Sequence, residues 1–390
     1  MKRFIIYGLV ISTLMGTAPV FGQTRKPSID VGVETVGVLQ DLTQKNQSNT
    51  LPEVPAGFQS AVGNIFVNSR ITSGIDVYFE MYLSSKHHEG YVMDREGYVY
   101  LSKLPDNLNV LGLNSLFRYI DLKAGAFEID YGNWHLIRSD NGQVQGNPLI
   151  GNYIVDANTT EPGVEVIAHS GSLEGVLGVS TGTTTGDFKA DRGTAVHGKI
   201  RYHVQDRIDV AASVYRVNHS GNPTGYPQNG SYSALYAGNR SGSRYSGVLG
   251  GGPEVGQIAP GKGQDVFAWQ VDGSYTMKPL RLYGMVGVAN DADANGSAAG
   301  TPADNWNYFG GEAEWYFTPK AYLGARYSQA SAQKINGVDS NAESNRIQLG
   351  GGYWLLDSIL LKLEYVNQHY NNFMDNQQFS GVLTEFSVKF

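Results

Sequence analysis

The sequence predicts an all-β fold, a transmembrane antiparallel β-barrel, on three observations. Segments of alternating polarity recur along the chain. They are separated in turn by very short connections and by long polar loops. The last such segment runs to the final residue, which is aromatic. Between Gly381 and Phe390, residues Val382, Thr384, Phe386, Val388 and Phe390 share one face. Leu383, Glu385, Ser387 and Lys389 share the other. A period of two marks a strand with one apolar and one mostly polar side.

Taken in order, the strand segments are 29–40, 62–70, 74–84, 114–119, 122–130, 162–170, 173–182, 194–204, 207–217, 265–277, 279–289, 305–317, 320–330, 344–355, 359–369 and 380–390. That makes sixteen, an even number that returns both termini to the periplasmic side. Most have the roughly 9–11 residues a tilted strand needs to cross a membrane. Residues 90–101 form either an additional strand or part of a loop, so fourteen and eighteen strands stay open as alternatives. Tight turns are expected at Phe317-Thr318-Pro319, Met277-Lys278-Pro279, Leu356-Asp357-Ser358, Val204-Gln205-Asp206 and Ser170-Gly171-Ser172, where Pro and Gly punctuate the chain. Long connections lie between them, at 290–305, 331–344, 370–379 and 218–264. Short turns at one end and long extracellular loops at the other are the layout of an outer-membrane barrel. A soluble sandwich shares the strand spacing but does not segregate its loops in this way.

The alternation also assigns faces. Val196, Ile200, Tyr202 and Val204 point outward, so His197, Lys199, Arg201 and His203 point inward. Phe267, Trp269, Val271 and Tyr275 point outward, as do Phe309, Ala313, Trp315 and Phe317. Glu312, Glu314, Arg281, Arg326, Arg346, Lys362, Glu364 and Glu385 point inward. Apolar residues outside and charge inside reverse the pattern of a soluble barrel. The expectation is a water-filled lumen, because charges at this density would be costly to bury dry. The mean hydropathy of −0.27 does not argue against a membrane, since only alternate residues of each strand would face lipid. The 24 Tyr and 5 Trp could supply interfacial girdles.

At the other terminus, Lys2 and Arg3 precede an apolar run over 4–15 and a small-residue stretch with Val20 and Gly22 before Gln23. This is the layout of a secretory signal peptide, predicted over 1–22, followed by one barrel domain over 23–390. The run is too short to span a bilayer as a helix, which takes about 20 residues. Removing 1–22 takes away two basic residues and no acidic ones, leaving 27 basic against 36 acidic and a net charge of −9. That balance does not suggest a nucleic-acid partner. There is no Cys, so neither disulfides nor thiol chemistry operate. No metal spacing stands out; His87-His88-Glu89 reads as a solvated loop cluster. The glycines at 250–252 and 261–263 match phosphate loops in composition only, without the G-x-x-x-x-G-K-[ST] pattern. No cofactor is implied.

The ending at Phe390 resembles the terminal strand of bacterial outer-membrane barrels. That resemblance implies that Phe386, Val388 and Phe390 carry the assembly signal read by the barrel-assembly machinery. A second resemblance lies in the strand Lys123-Ala124-Gly125-Ala126-Phe127 followed by Tyr131-Gly132. With the architecture of the whole chain, it is similar to bacterial porins, and locally to the phosphate-selective porin O and P group. No Pro directly precedes the aromatic–Gly pair, so the substrate is not carried over. The resemblance implies outer-membrane lipid as surroundings, small hydrophilic solutes as cargo, a homotrimer, and a third loop folded inward. Residues 131–161 are that third long loop. They are too apolar for a simple exposed connection, with Trp134, Leu136, Ile137, Leu149, Ile150, Tyr153, Ile154 and Val155. His135, Arg138 and Asp140 are expected on the constriction, facing Lys199, Arg201, Arg281, Arg326 and Arg346 across the pore. The leading functional reading is a porin for passive diffusion and not an enzyme. A non-conducting adhesin or an outer-membrane enzyme is the alternative.

Overall fold

The computed structural model describes residues 27–45, 54, 56–84, 93–109, 111–133, 137, 143–157, 160–182, 194–205, 207–218, 235–236, 245, 256–258, 260, 265–292, 304–335 and 337–390. The predicted signal segment, 1–22, lies outside them. The strands are β1 (Ser28–Lys45), β2 (Gly57–Thr72), β3 (Ile75–Ser84), β4 (Met93–Leu101), β5 (Ile120–Glu128), β6 (Thr160–Ser170), β7 (Leu173–Ser180), β8 (Ala195–Val204), β9 (Ile208–Val217), β10 (Asp265–Met277), β11 (Leu280–Ala292), β12 (Asp304–Thr318), β13 (Ala321–Ile335), β14 (Val338–Asp339), β15 (Glu343–Leu356), β16 (Ile359–Asn371) and β17 (Gln378–Lys389). β14 is two residues long and only extends the β13 hairpin. The other sixteen pair antiparallel in sequence order. β1 pairs with both β2 and β17, so the sheet closes on itself. A closed sheet has no open edge, which is what hydrocarbon surroundings demand of a strand structure.

One expected strand is misplaced. Residues 114–119 do not form a strand; Leu113–Arg118 is a 3₁₀ helix. The wall strand at that point is β4, within the 90–101 segment left open by the sequence. The physical reason is in the patterns. Leu113 and Leu116 stand three apart, a helical spacing, whereas Glu96, Tyr98 and Tyr100 alternate with Gly97 and Val99. The side chain of Asn114 fastens the helix to the end of β4: it accepts from Leu104 N at 2.8 Å and donates to Leu104 O at 3.0 Å. The exchange of one segment for the other leaves the strand number at sixteen.

The two ends of the barrel differ as expected with one exception, because the long connection 102–119 between β4 and β5 also lies at the turn end, where Ser102 N and Lys103 N donate to Gly74 O. Two residues join β2 to β3, β6 to β7, β10 to β11, β12 to β13 and β15 to β16, and three join β8 to β9. Gly74 in the first of these turns has φ 94, a conformation open to glycine at little cost. A side chain there would also strike Lys103.

The outer face is an apolar belt. Ile200, Leu177 and Leu363 are 62%, 62% and 56% exposed in the middle of their strands. A continuous apolar surface of this kind on a closed barrel is matched by lipid and not by water. We expect Leu363→Arg to destabilise the barrel by about 2–4 kcal/mol, the cost of a cation at mid-membrane depth. Folding equilibria into lipid vesicles read this directly, and an unperturbed equilibrium would remove Leu363 from the lipid face.

The inner face is not uniformly polar. Val36, Val38 and Leu42 of β1 point inward and join a buried cluster with Val144, Ile150, Ile154 and Val155. These last four belong to the connection after β5, so the apolar core of the molecule sits inside the barrel.

Candidate functional site

The described residues that follow β5, 129–133, 137 and 143–157, lie inside the barrel. Ile129 and Tyr131 are fully buried, and the described residues that follow lie along the inner wall as a strap. Its first anchor is on β8–β10. Gly132 N donates to Ser213 Oγ at 2.9 Å, and Asn133 N donates to Asp272 at 3.2 Å. Asn133 Nδ2 donates to Asp209 Oδ1 at 2.9 Å. Lys199 Nζ donates to Asp130 Oδ1 at 2.7 Å and to Gly132 O at 3.0 Å. Gly132 has φ 73, and a Cβ on it would collide with Gln270. This accounts physically for the aromatic–Gly pair noted in the sequence: the chain turns there with its backbone hard against the wall.

The second anchor lies toward the turn end. Lys362 Nζ donates to Val144 O at 2.6 Å, Gln145 Nε2 to Ser358 O at 3.1 Å and Arg281 Nη2 to Gly146 O at 3.3 Å. The third is the tightest. Arg326 donates through Nη2 to Asn147 Oδ1 at 2.7 Å and through Nη1 to Gly151 O, and its guanidinium lies 4.3 Å from the Tyr153 ring centre. Glu364 accepts two successive amides, Ile150 N at 2.6 Å and Gly151 N at 2.9 Å. Arg346 Nη1 donates to Asn152 O at 2.7 Å. Charge-assisted bonds of this kind are about twice as strong as neutral ones. Burial also holds the Tyr131 and Tyr153 phenols well above their ordinary pKa, so both stay neutral at any ordinary pH.

A second connection enters from the loop end. Leu235, Tyr236, Tyr245 and Ile258 are buried inside the barrel. Tyr236 Oη donates to Tyr131 Oη at 3.0 Å, Ile258 N donates to Ile154 O at 3.0 Å, and Arg346 Nη2 donates to Gly256 O. The sequence placed 218–264 wholly outside as an extracellular loop. Its described residues instead cover the strap, because Tyr236, Tyr245 and Ile258 find apolar contacts there.

These contacts correct the expectation of a row of charges facing open water. Lys199, Arg326 and Arg346 point inward, as the alternation assigns them. They are buried, however, and hold the strap. The bare-charge penalty is met by partners across the sheet. Arg326 pairs with Glu312, Lys362 with Glu385 at 2.8 Å and Arg281 with Glu314 at 2.8 Å, each pair in direct cross-strand register. His135, Arg138 and Asp140 lie outside the described residues. Gln145, Asn147, Tyr245 and Gly256 carry no sequence signal as strap contacts. Glu364 was recognised as inward-facing, and nothing local marks it as the cradle of two loop amides.

Water-exposed charge is concentrated on the turn half of the wall from β2 to β9. Arg201 and His203 have side chains 37% and 44% exposed. Arg201 pairs with Asp209 and stands 3.9 Å from Glu174; His169 Nε2 lies 2.8 Å from Asp121 Oδ2. Among the described residues, no group of three His, Cys, Asp or Glu could hold a metal ion. Phe386 and Phe390 point outward, 45% and 75% exposed. Phe390 exchanges two backbone hydrogen bonds with Val33, at 2.7 and 3.0 Å, at the closing seam.

No known family profile matches the chain, and no curated protein matches it in sequence. Solved structures do match in shape. The outer membrane channel DcaP of Acinetobacter baumannii aligns over 95% of this chain and 99% of its own, at 10% identity and a TM-score of 0.58. OmpF of Salmonella typhi aligns over 93% and 97%, at 10% identity and 0.56. The anion-selective porin of Comamonas acidovorans aligns over 94% and 100%, at 10% identity and 0.55. The chain therefore has the sixteen-strand barrel fold of the bacterial outer-membrane porins.

Proposed function

We propose that the protein is a porin: an exported outer-membrane barrel that lets small hydrophilic solutes diffuse passively, without cofactor or catalysis. The observation that carries this reading is a pinned strap inside the barrel beside a charged, water-exposed stretch of wall, the two meeting at Asp209, which takes both Arg201 and the strap's Asn133. A strap held at three separate anchors narrows the lumen without needing to move. The charged wall on the turn half then sets the field that permeating ions meet. A resemblance to the phosphate-selective group stays at the level of the Lys123–Phe127 strand and the Tyr131-Gly132 turn. Assembly as a homotrimer accords with the porin reading.

Single-channel recording in planar bilayers tests the proposal. Discrete conductance steps are expected from the purified barrel. Their absence, joined to lipid or peptide hydrolysis, would favour a barrel enzyme instead. Within the channel, Arg201→Glu is expected to shift the reversal potential toward cations, since it places a negative group beside Asp209 and Glu174. An unchanged reversal potential would take Arg201 out of the permeation path.

A further inference from the structure

The β4–β5 connection, 102–119, is the long exception among the turn-end connections, and the porin reading gives it no part. We infer that it is a membrane-surface anchor, seated among the headgroups of the phospholipid leaflet at the turn end of the barrel. The chain leaves the wall at Leu101 and re-enters it at Ile120. Between them Leu108, Leu111, Leu113, Leu116 and Tyr119 are all exposed, Leu111 by 82% and Tyr119 by 65%. Single exposed apolar residues are ordinary, but a run of them in one short connection marks a surface that something apolar covers.

The polarity of the segment is inverted. Its asparagines turn inward: Asn109 and Asn114 are half-buried while the leucines are exposed. Asn109 Oδ1 accepts from Asn114 N at 2.9 Å, and the Asn114 side chain is spent on both backbone groups of Leu104. Pro105 O accepts from Leu108 N at 2.9 Å and from Asn109 N at 3.1 Å, and Tyr119 N donates to Leu116 O at 2.9 Å. Gly112, with φ 66, turns the chain into the 3₁₀ helix. Both ends are fastened to the wall, the first at Gly74 O and the last where His169 N donates to Tyr119 O at 2.7 Å. The shape is therefore set before any partner arrives, which lowers the ordering cost of docking.

Polar groups inside and apolar groups outside is also the pattern of the barrel wall, which lipid covers. The apolar belt reaches this end of the barrel. Leu173, the first residue of β7, and its register partner Tyr202 on β8 are both exposed on the outer face. The connection continues that belt past the ends of the strands, at the depth where hydrocarbon gives way to headgroups. Its composition suits that depth. Tyr119 offers an apolar ring with a polar tip, the kind that collects at membrane interfaces. Lys103 and Arg118 are exposed at its two ends and Asp106 is its one acid, so two basic residues against one leave a charge of +1 toward anionic headgroups. At roughly 2 Å per residue the helix is about 12 Å long, so it lies on a bilayer and does not cross it. The inference rests on the outer-membrane barrel and not on conduction through it.

The chain has no Cys, so Leu111→Cys can carry a single polarity-sensitive fluorophore. The labelled barrel is reconstituted in vesicles of phosphatidylethanolamine and phosphatidylglycerol. Its emission is expected to be blue-shifted and to be quenched by lipid bearing a nitroxide near the headgroup. Aqueous iodide is expected to quench it several-fold less than the same probe on Asp357→Cys, in a two-residue turn at the same end. Leu108→Cys serves if Leu111→Cys fails to fold, as judged by heat-modifiable migration. The probe on Leu363→Cys, in the belt, reports lipid contact independently of the connection. Iodide quenching at Leu111→Cys equal to that at Asp357→Cys, with Leu363→Cys still shielded, would overturn the anchor. Disulfide cross-linking of Leu111→Cys to a second copy, without nitroxide quenching, would also overturn it and make this face a subunit contact. Iodide access at Leu363→Cys as well would overturn the membrane-barrel reading, and the anchor with it. A barrel that passes no current but shields Leu111→Cys would overturn the porin reading and leave the anchor standing.

Discussion

Arg326→Ala will release the strap and raise single-channel conductance. Arg326 is 3% exposed and holds three things at once: the Glu312 carboxylate on β12, the Gly151 carbonyl and the Asn147 side chain. Truncation leaves Glu312 buried beside an empty space, and breaking a buried pair of this kind costs about 3–5 kcal/mol. The strap also loses the guanidinium over Tyr153. Lys362 on Val144 and Arg281 on Gly146 hold the residues before Asn147, Glu364 and Arg346 hold Ile150 to Asn152 after it, and together they limit the release to the stretch near Asn147. Arg326→Lys will fall between parent and Ala, since an ammonium keeps the charge but cannot form the planar fork. The double variant Arg326→Ala/Glu312→Ala separates stability from gating. Removing both charges restores part of the lost stability, while the stretch near Asn147 stays unpinned and conductance stays high. A folded Arg326→Ala barrel with parental conductance would show that the strap does not limit flow.

Deleting Phe390 will lower the amount of assembled barrel in the outer membrane more than the amount exported. The residue closes the seam between β17 and β1, where it exchanges two backbone hydrogen bonds with Val33. Its ring plays no part in that pairing and is 75% exposed on the outer face. The loss of two seam bonds is worth about 1–3 kcal/mol in water and more in hydrocarbon. Phe390→Ala distinguishes the two roles, because it keeps the backbone pair and removes only the ring. An assembly signal read from the ring predicts that Phe390→Ala behaves like the deletion. A purely structural seam predicts that it behaves like the parent. Heat-modifiable migration of the outer-membrane fraction gives the answer, and normal barrel formation in both variants would end the assembly role.

How much of this could be read from the chain differs by level. The β16–β17 hairpin shows the part that could. Leu361, Leu363 and Tyr365 alternate with Lys362 and Glu364, and the structure puts the first three outside and the other two inside. That assignment needs no tertiary knowledge, because a strand turns successive side chains to opposite faces. Residues 114–119 show where local reading fails. In so short a stretch the three-residue spacing of Leu113 and Leu116 is easily overlooked, and the register of β3 with β4 shows that 93–101 is the wall strand. The charges inside the barrel show a different limit. Arg326 and Arg201 carry the same inward signature, yet the first is sealed under the strap and the second stands in water.

The sequence by itself determined the strands, their two faces, the segregation of turns from loops and the unusual apolarity of 131–161. All of these follow from the period of the backbone and from the chemistry of single residues. Only the tertiary structure decided which inward charges meet water. That depends on cross-strand register, such as Glu312 opposite Arg326, and on loop carbonyls and amides that arrive from far along the chain. Ile150 reaches Glu364 across 214 residues of sequence. A contact of that span leaves no local pattern, because its free energy arises only when both ends are brought together inside the closed wall.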